Sequence, residues 1–79
     1  MYYLDIEATC RNLTLKIKNS NYSVADIAQA MGVSSQAIYR WMSTSQPSMP
    51  TVDNLVVLSA LLGCTLDELV VLDELPEKL

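Results

Sequence analysis

Four polar side chains lie close together in the stretch SSQAIYRW, residues 34–41: Ser35, Gln36, Tyr39 and Arg40. Each carries hydrogen-bonding chemistry that suits a nucleic acid. The Gln36 amide donates and accepts side by side, the pattern that matches the edge of an adenine. Arg40 can pair with a guanine edge or a phosphate, and Tyr39 can reach a phosphate or a thymine methyl. Ser35 can bond to a base or a phosphate. Just downstream, Ser43, Ser45 and Gln46 add groups able to meet a sugar–phosphate backbone. The plainer alternative for all of these residues is the solvated polar face of an amphipathic helix.

Other chemistries are poorly provided for. The chain has no histidine, its two cysteines Cys10 and Cys64 stand far apart, and its carboxylates form no cluster at ligand spacing. A metal site, a cofactor site and a nucleophile–base pair are not expected, so neither are catalytic residues nor enzymatic activity. The stretch MYYLDIEATC lacks a basic start and places Asp5 and Glu7 early, unlike a signal peptide. The expectation is a cytoplasmic protein with reduced, packed cysteines. No apolar run approaches the roughly 20 residues of a membrane span, so no membrane partner is expected.

Apolar residues repeat at helical spacing throughout. Ile6, Cys10, Leu13 and Ile17 define one face; Val24, Ile27, Ala28 and Met31 a second; Ile38, Trp41 and Met42 a third. Leu55, Leu58 and Leu62, then Leu66, Leu69 and Val70, complete the series. The pattern predicts an all-α fold of five helices, at about 5–19, 23–31, 34–43, 51–62 and 65–74, with no strand. With 79 residues and a hydrophobic fraction of 51%, the expectation is a single domain spanning 1–79, small but with material for a core. Ser23 with Asp26, Ser34, Thr51, and Thr65 with Glu68 supply helix-start signals. Tyr22 and Ile27, like Val33 and Ile38, have the spacing of a hydrophobic staple.

Gly32 and Gly63 each follow a helical run and suit a left-handed residue at a helix C-terminus. At Gly32 the chain must turn at once into the next helix, and small Ala28, four residues earlier, permits close crossing. Residues 23–43 thus read as two short helices at a steep angle, a helix-turn-helix. An ordinary helical hairpin within a bundle is the alternative.

The spacing from Ile27-Ala28 through Gly32 to Ile38 and Trp41 resembles lambda-type (Cro/CI) phage repressors and their bacterial family, the xenobiotic-response-element regulators. NLTLKIKNSNYS resembles that family's first helix and following turn, and PTVDNLVVLSALLGCTLDELV its fourth and fifth helices. The resemblance covers residues 5–72. It implies a compact five-helix lambda-repressor-like domain with double-stranded DNA as partner. The helix at 34–43 is then expected in the major groove, with Ser35, Gln36, Tyr39 and Arg40 at base edges. Ser23 and Ser34 mark helix starts whose amides can hold phosphates, with Ser43, Ser45 and Gln46 as further phosphate contacts. The chain departs from the family in three places. Val24 stands where many members carry a phosphate-binding glutamine. Met42 and Thr44 stand where an acidic residue and a glycine are frequent, so the loop 43–49 is expected to take its own path.

The net charge of −4 bears on this expectation. Residues 1–46 carry Arg11, Lys16, Lys18 and Arg40 against Asp5, Glu7 and Asp26, a net of +1. Residues 47–79 carry Lys78 against Asp53, Asp67, Glu68, Asp73, Glu74 and Glu77, a net of −5, with the end at 73–79 the most acidic. The excess thus lies away from the proposed reading residues. It predicts weak non-specific DNA binding, with affinity drawn from a specific site and from dimerisation. Val57, Ala60 and Leu61, with Val71, Leu72 and Leu75, are more apolar surface than so small a domain buries alone. A homodimer through Val57, Leu61, Val71, Leu72 and Leu75 would cover it and space two reading helices about 34 Å apart. A longer fifth helix folding back is the alternative. Two functions remain: a sequence-specific transcriptional regulator acting on an inverted repeat, or an antitoxin-like protein-interaction module with weak or no DNA binding.

Overall fold

The computed structural model describes residues 1–43 and 45–74. In chain order its elements are β1 (Tyr2–Leu4), α1 (Ile6–Lys18), α2 (Val24–Met31), α3 (Ser35–Met42), α4 (Val52–Leu62), α5 (Leu66–Leu69) and β2 (Leu72–Glu74). The helical faces read from the sequence meet in one core. Leu13, Ile17, Ile27, Ala28, Ile38, Trp41, Leu55, Leu58 and Leu69 are buried together. Val24 packs inward against this cluster, which is why an apolar residue occupies that position.

The helix starts follow local chemistry. Asp5 caps α1 by accepting the Ala8 amide at 2.9 Å. Ser23 and Asp26 form a complete capping box on α2: the Asp26 amide donates to Ser23 Oγ, and the Ser23 amide to the Asp26 carboxylate, both at 3.1 Å. Ser34 accepts the Ala37 amide at 3.1 Å. The Thr65 amide donates to Glu68 Oε1 at 2.9 Å. Thr51 has the extended backbone of an N-cap, but its side chain caps no amide of α4. Both α2 and α4 end in a glycine at φ 69°. The Val33 amide reaches Ala28 O and the Cys64 amide reaches Ser59 O, each at 3.0 Å, the six-to-one bond that a left-handed terminus makes available.

Two expectations need correction. The fifth helix does not run from 65 to 74; α5 is a single turn, and Val70 leaves it with an extended backbone. Residues 72–74 instead pair antiparallel with residues 2–4, in the register Tyr2↔Glu74, Tyr3↔Asp73 and Leu4↔Leu72, so the fold contains a two-stranded sheet where none was expected. The cause lies on α1. Asn12 Nδ2 donates to the carbonyls of Glu68 and Leu69, and Thr9 Oγ1 accepts the Val71 amide at 2.9 Å. The Asp5 amide then donates to Val71 O at 2.8 Å and starts the ladder. Helical hydrogen bonds beyond Leu69 are thus replaced by side chains of α1. Cys10 is buried as expected, and burial pushes its thiol pKa up; Cys64 is only half-buried.

Candidate nucleic-acid interface

α3 is anchored along one side and open along the other. Ile38 and Trp41 are buried and Ala37 packs against the core. Gln36, Tyr39 and Arg40 are exposed, Tyr39 at 58%, while Ser35 is half-buried at their flank. Spacings of three and four residues place Gln36, Tyr39 and Arg40 on one face. Arg40 has no carboxylate within ion-pairing distance among the described residues, so its charge is available to a ligand.

Both ends of α3 are fixed. At its start, the Ser34 hydroxyl takes the Ala37 amide, leaving the Ser35 and Gln36 amides pointing outward. No acidic residue stands in this first turn, so the helix end keeps its positive potential. The start of α2 differs. Its Ser23 amide and hydroxyl are committed to the capping box, and the Asp26 carboxylate sits where a phosphate would come. Of the two candidate phosphate sites, α3 is therefore the more favourable electrostatically. At the far end, Thr14 Oγ1 lies 3.1 Å from Met42 O and 2.9 Å from Cys10 O, tying the last turn of α3 to α1. This positioning residue is not evident from the sequence, because a threonine on a helix gives no sign of which distant carbonyl it meets.

Beyond α3, Ser43 Oγ lies 3.3 Å from Ser45 Oγ and accepts the Gln46 amide at 3.3 Å. The structure thus brings Ser43, Ser45 and Gln46 together just past the C-terminal end of α3; Ser45 and Gln46 are exposed. Lys18, exposed at the end of α1 and without a partner carboxylate among the described residues, is a further candidate that sequence reasoning missed. Arg11 and Lys16 are engaged with Glu7 and Glu68. The residues suggested for a dimer fall on different elements: Val57 is exposed on α4, Leu61 packs on the core, Val71 is half-buried and Leu72 is exposed in β2. Val71 and Leu72 are therefore not on a fifth helix, and Leu75 lies outside the described residues.

The arrangement of α2 and α3 about Gly32 coincides with a family comparison: a helix-turn-helix family model, of Cro/CI type, matches residues 15–69. The chain belongs to the helix-turn-helix family. That makes it a DNA-binding transcription regulator of the xenobiotic-response-element type, a regulatory family that is not typically enzymatic. No curated protein and no solved structure matches the chain. Among the described residues, no helix is long and apolar enough to cross a membrane. The helix-turn-helix match spans α2 through α5 and leaves β1 and β2 outside it.

Proposed function

We propose that the protein is a sequence-specific transcriptional regulator that reads double-stranded DNA with α3 in the major groove. The observation that carries this reading is the face of α3 itself: Gln36, Tyr39 and Arg40 stand exposed on a helix whose other side and both ends are fixed. A side chain reads a base edge only if its helix holds position to within a hydrogen bond's tolerance. Gln36 is assigned to an adenine edge and Arg40 to a guanine edge or a phosphate. Ser35 and Tyr39 are assigned to flanking bases or phosphates. The outward amides at the start of α3, next to Ser34, take a phosphate, and the turn of Ser43, Ser45 and Gln46 borders the backbone. Ser23 contributes least, its polar groups being engaged by Asp26.

The protein acts in the cytoplasm as a homodimer on an inverted repeat, which matches twofold protein symmetry to operator symmetry. Its acidic groups lie mostly on α4, α5 and β2, away from α3, and the screening length at physiological salt is about 8 Å. They lower general affinity and leave specificity to the α3 contacts. Selection from random duplex DNA tests this reading. The expected product is an inverted repeat with half-sites about one helical turn apart. A selected site without symmetry contradicts the homodimer. No enrichment even at low salt contradicts DNA reading and leaves the protein-interaction module.

A further inference from the structure

Six of the twelve large apolar side chains most open to solvent among the described residues gather at the sheet: Met1, Tyr2, Tyr3, Leu4, Ile6 and Leu72, from 39% to 82% exposed. Among the described residues β1 packs chiefly on β2, and its other edge is open. The Asp5–Val71 hydrogen bond continues the register Leu4↔Leu72. Bonded and non-bonded pairs alternate along an antiparallel ladder. Tyr3 therefore turns its backbone polar groups toward β2, while Tyr2 and Leu4 turn theirs to the open edge. A two-stranded sheet with such an edge is a template for another strand.

Charge distinguishes the two edges. Met1–Leu4 carry no charged side chain, whereas β2 carries Asp73 and Glu74. Pairing β2 with β2 would oppose like charges, which an uncharged β1 avoids. The side chains along this edge add contact: Met1, Tyr2, Tyr3 and Leu4 are 39% to 82% exposed, on the order of 500 Å² per protomer, the scale of a small interface of under about 1,200 Å² in total.

We propose that a second copy of this chain docks along β1, antiparallel about a twofold axis at Tyr3, giving a four-stranded sheet in the order β2–β1–β1–β2. This rests on the homodimer reading above and names its surface. Tyr2 exchanges backbone hydrogen bonds with Leu4 of the second copy, and the two Tyr3 residues face each other as a non-bonded pair. The charged β2 strands become the outer edges and discourage further addition. The geometry is compatible with DNA. The end of α3 sits beside Thr14. From Thr14 to Ile6 is about 12 Å of helix, and from Ile6 to Tyr3 about 10 Å of extended chain. Doubled, and with about 4.5 Å across the Tyr3 pair and the 3.1 Å from each Thr14 to Met42 O, the two α3 ends lie within about 55 Å of each other, a reach that includes the 34 Å between successive major grooves.

Sedimentation of the full chain tests the pairing. The parent is expected at twice the chain mass of 8.8 kDa. Leu4→Pro removes one outward N–H and leaves the inward bonds of Tyr3 and Asp5 in place. It is expected to weaken dimerisation at least about tenfold, with the helical circular dichroism retained. Val57→Lys, on the exposed side of α4, is expected to leave the dimer intact. In a Cys64→Ser background, Tyr3→Cys is expected to give a disulfide-linked dimer on mild oxidation, because non-bonded partners lie about 4.5 Å apart at Cα. Tyr2→Cys, facing Leu4 of the second copy, is not. A monomeric parent, or dissociation by Val57→Lys but not by Leu4→Pro, overturns the pairing. So does efficient crosslinking at position 2 instead of 3, which decides the matter if Leu4→Pro unfolds the sheet. A monomer that still enriches a half-site overturns the pairing and keeps the DNA reading. A β1-linked dimer that enriches no duplex upholds the pairing and overturns the DNA reading.

Discussion

Replacing Gly32 isolates backbone strain from steric clash. Its φ is +69°, and a side-chain Cβ built there meets nothing within 4 Å. The cost of an L-residue is then conformational: a left-handed backbone costs it roughly 1–2 kcal/mol relative to its favoured regions. A smaller entropic gain in the unfolded chain partly offsets this, at about 0.4–1 kcal/mol. Gly32→Ala is expected to lose about 1 kcal/mol, and Gly32→Gln the same, since open space makes length irrelevant. Gly32→Asn is expected to lose less, because asparagine tolerates this conformation, and Gly32→Val more, because its branched Cβ does not. For a domain of this size, 1 kcal/mol corresponds to about 4–8 °C in Tm. Urea and thermal denaturation followed by circular dichroism measure the series. Gly63 has the same φ and the same open space, so its variants are expected to rank alike. A ranking by side-chain size, or a Gly32→Ala variant as stable as the parent, would mean that the left-handed backbone does not set the cost.

Asn12→Ala removes the donor to the Glu68 and Leu69 carbonyls and is expected to cost about 1–3 kcal/mol. Faster amide exchange at Val71 and β2 than at α2 or α3 distinguishes loss of this tether from general destabilisation. Acid titration addresses the helix starts: hydrogen bonds from Thr65 hold the Glu68 carboxyl below its ordinary 4.5, and the Thr51 side chain holds Asp53 below its ordinary 3.8. Both groups bind protons more readily in the unfolded chain, so their contribution is complete above pH of about 4.5 and fades as pH falls through the lower folded values. Glu68→Gln is expected to flatten that part of the stability–pH profile; an unchanged profile tells against this assignment.

The helical core was legible because its apolar spacing repeats within each element. The same holds for the turns, since Gly32 and Gly63 each stand just past an apolar run. The short fifth helix was not legible. Leu66, Leu69, Val70 and Leu72 can be arranged on a helix, and it is Thr9 and Asn12, about sixty residues earlier in sequence, that divert the chain. The sheet escaped for a related reason: three residues per strand give no measurable alternation, and the partners lie at opposite ends of the described chain. At the interface, the residue types on α3 and the polarity of its face were readable locally. The Asp26 box on α2 and the lack of an acid at the start of α3 were readable too; the Thr14 tie to the end of α3 was not, because it joins residues 28 apart.

Whether the open face of α3 reads bases is decided by the binding of Gln36→Ala to the selected duplex and its single-base variants. Gln36 is exposed, so the variant is expected to melt within about 0.5 kcal/mol of the parent. Its binding to the selected site is expected to weaken by about 1–3 kcal/mol, with preference relaxed at one base pair per half-site. Undiminished affinity together with the parent's full preference at every base pair would contradict base reading by this face.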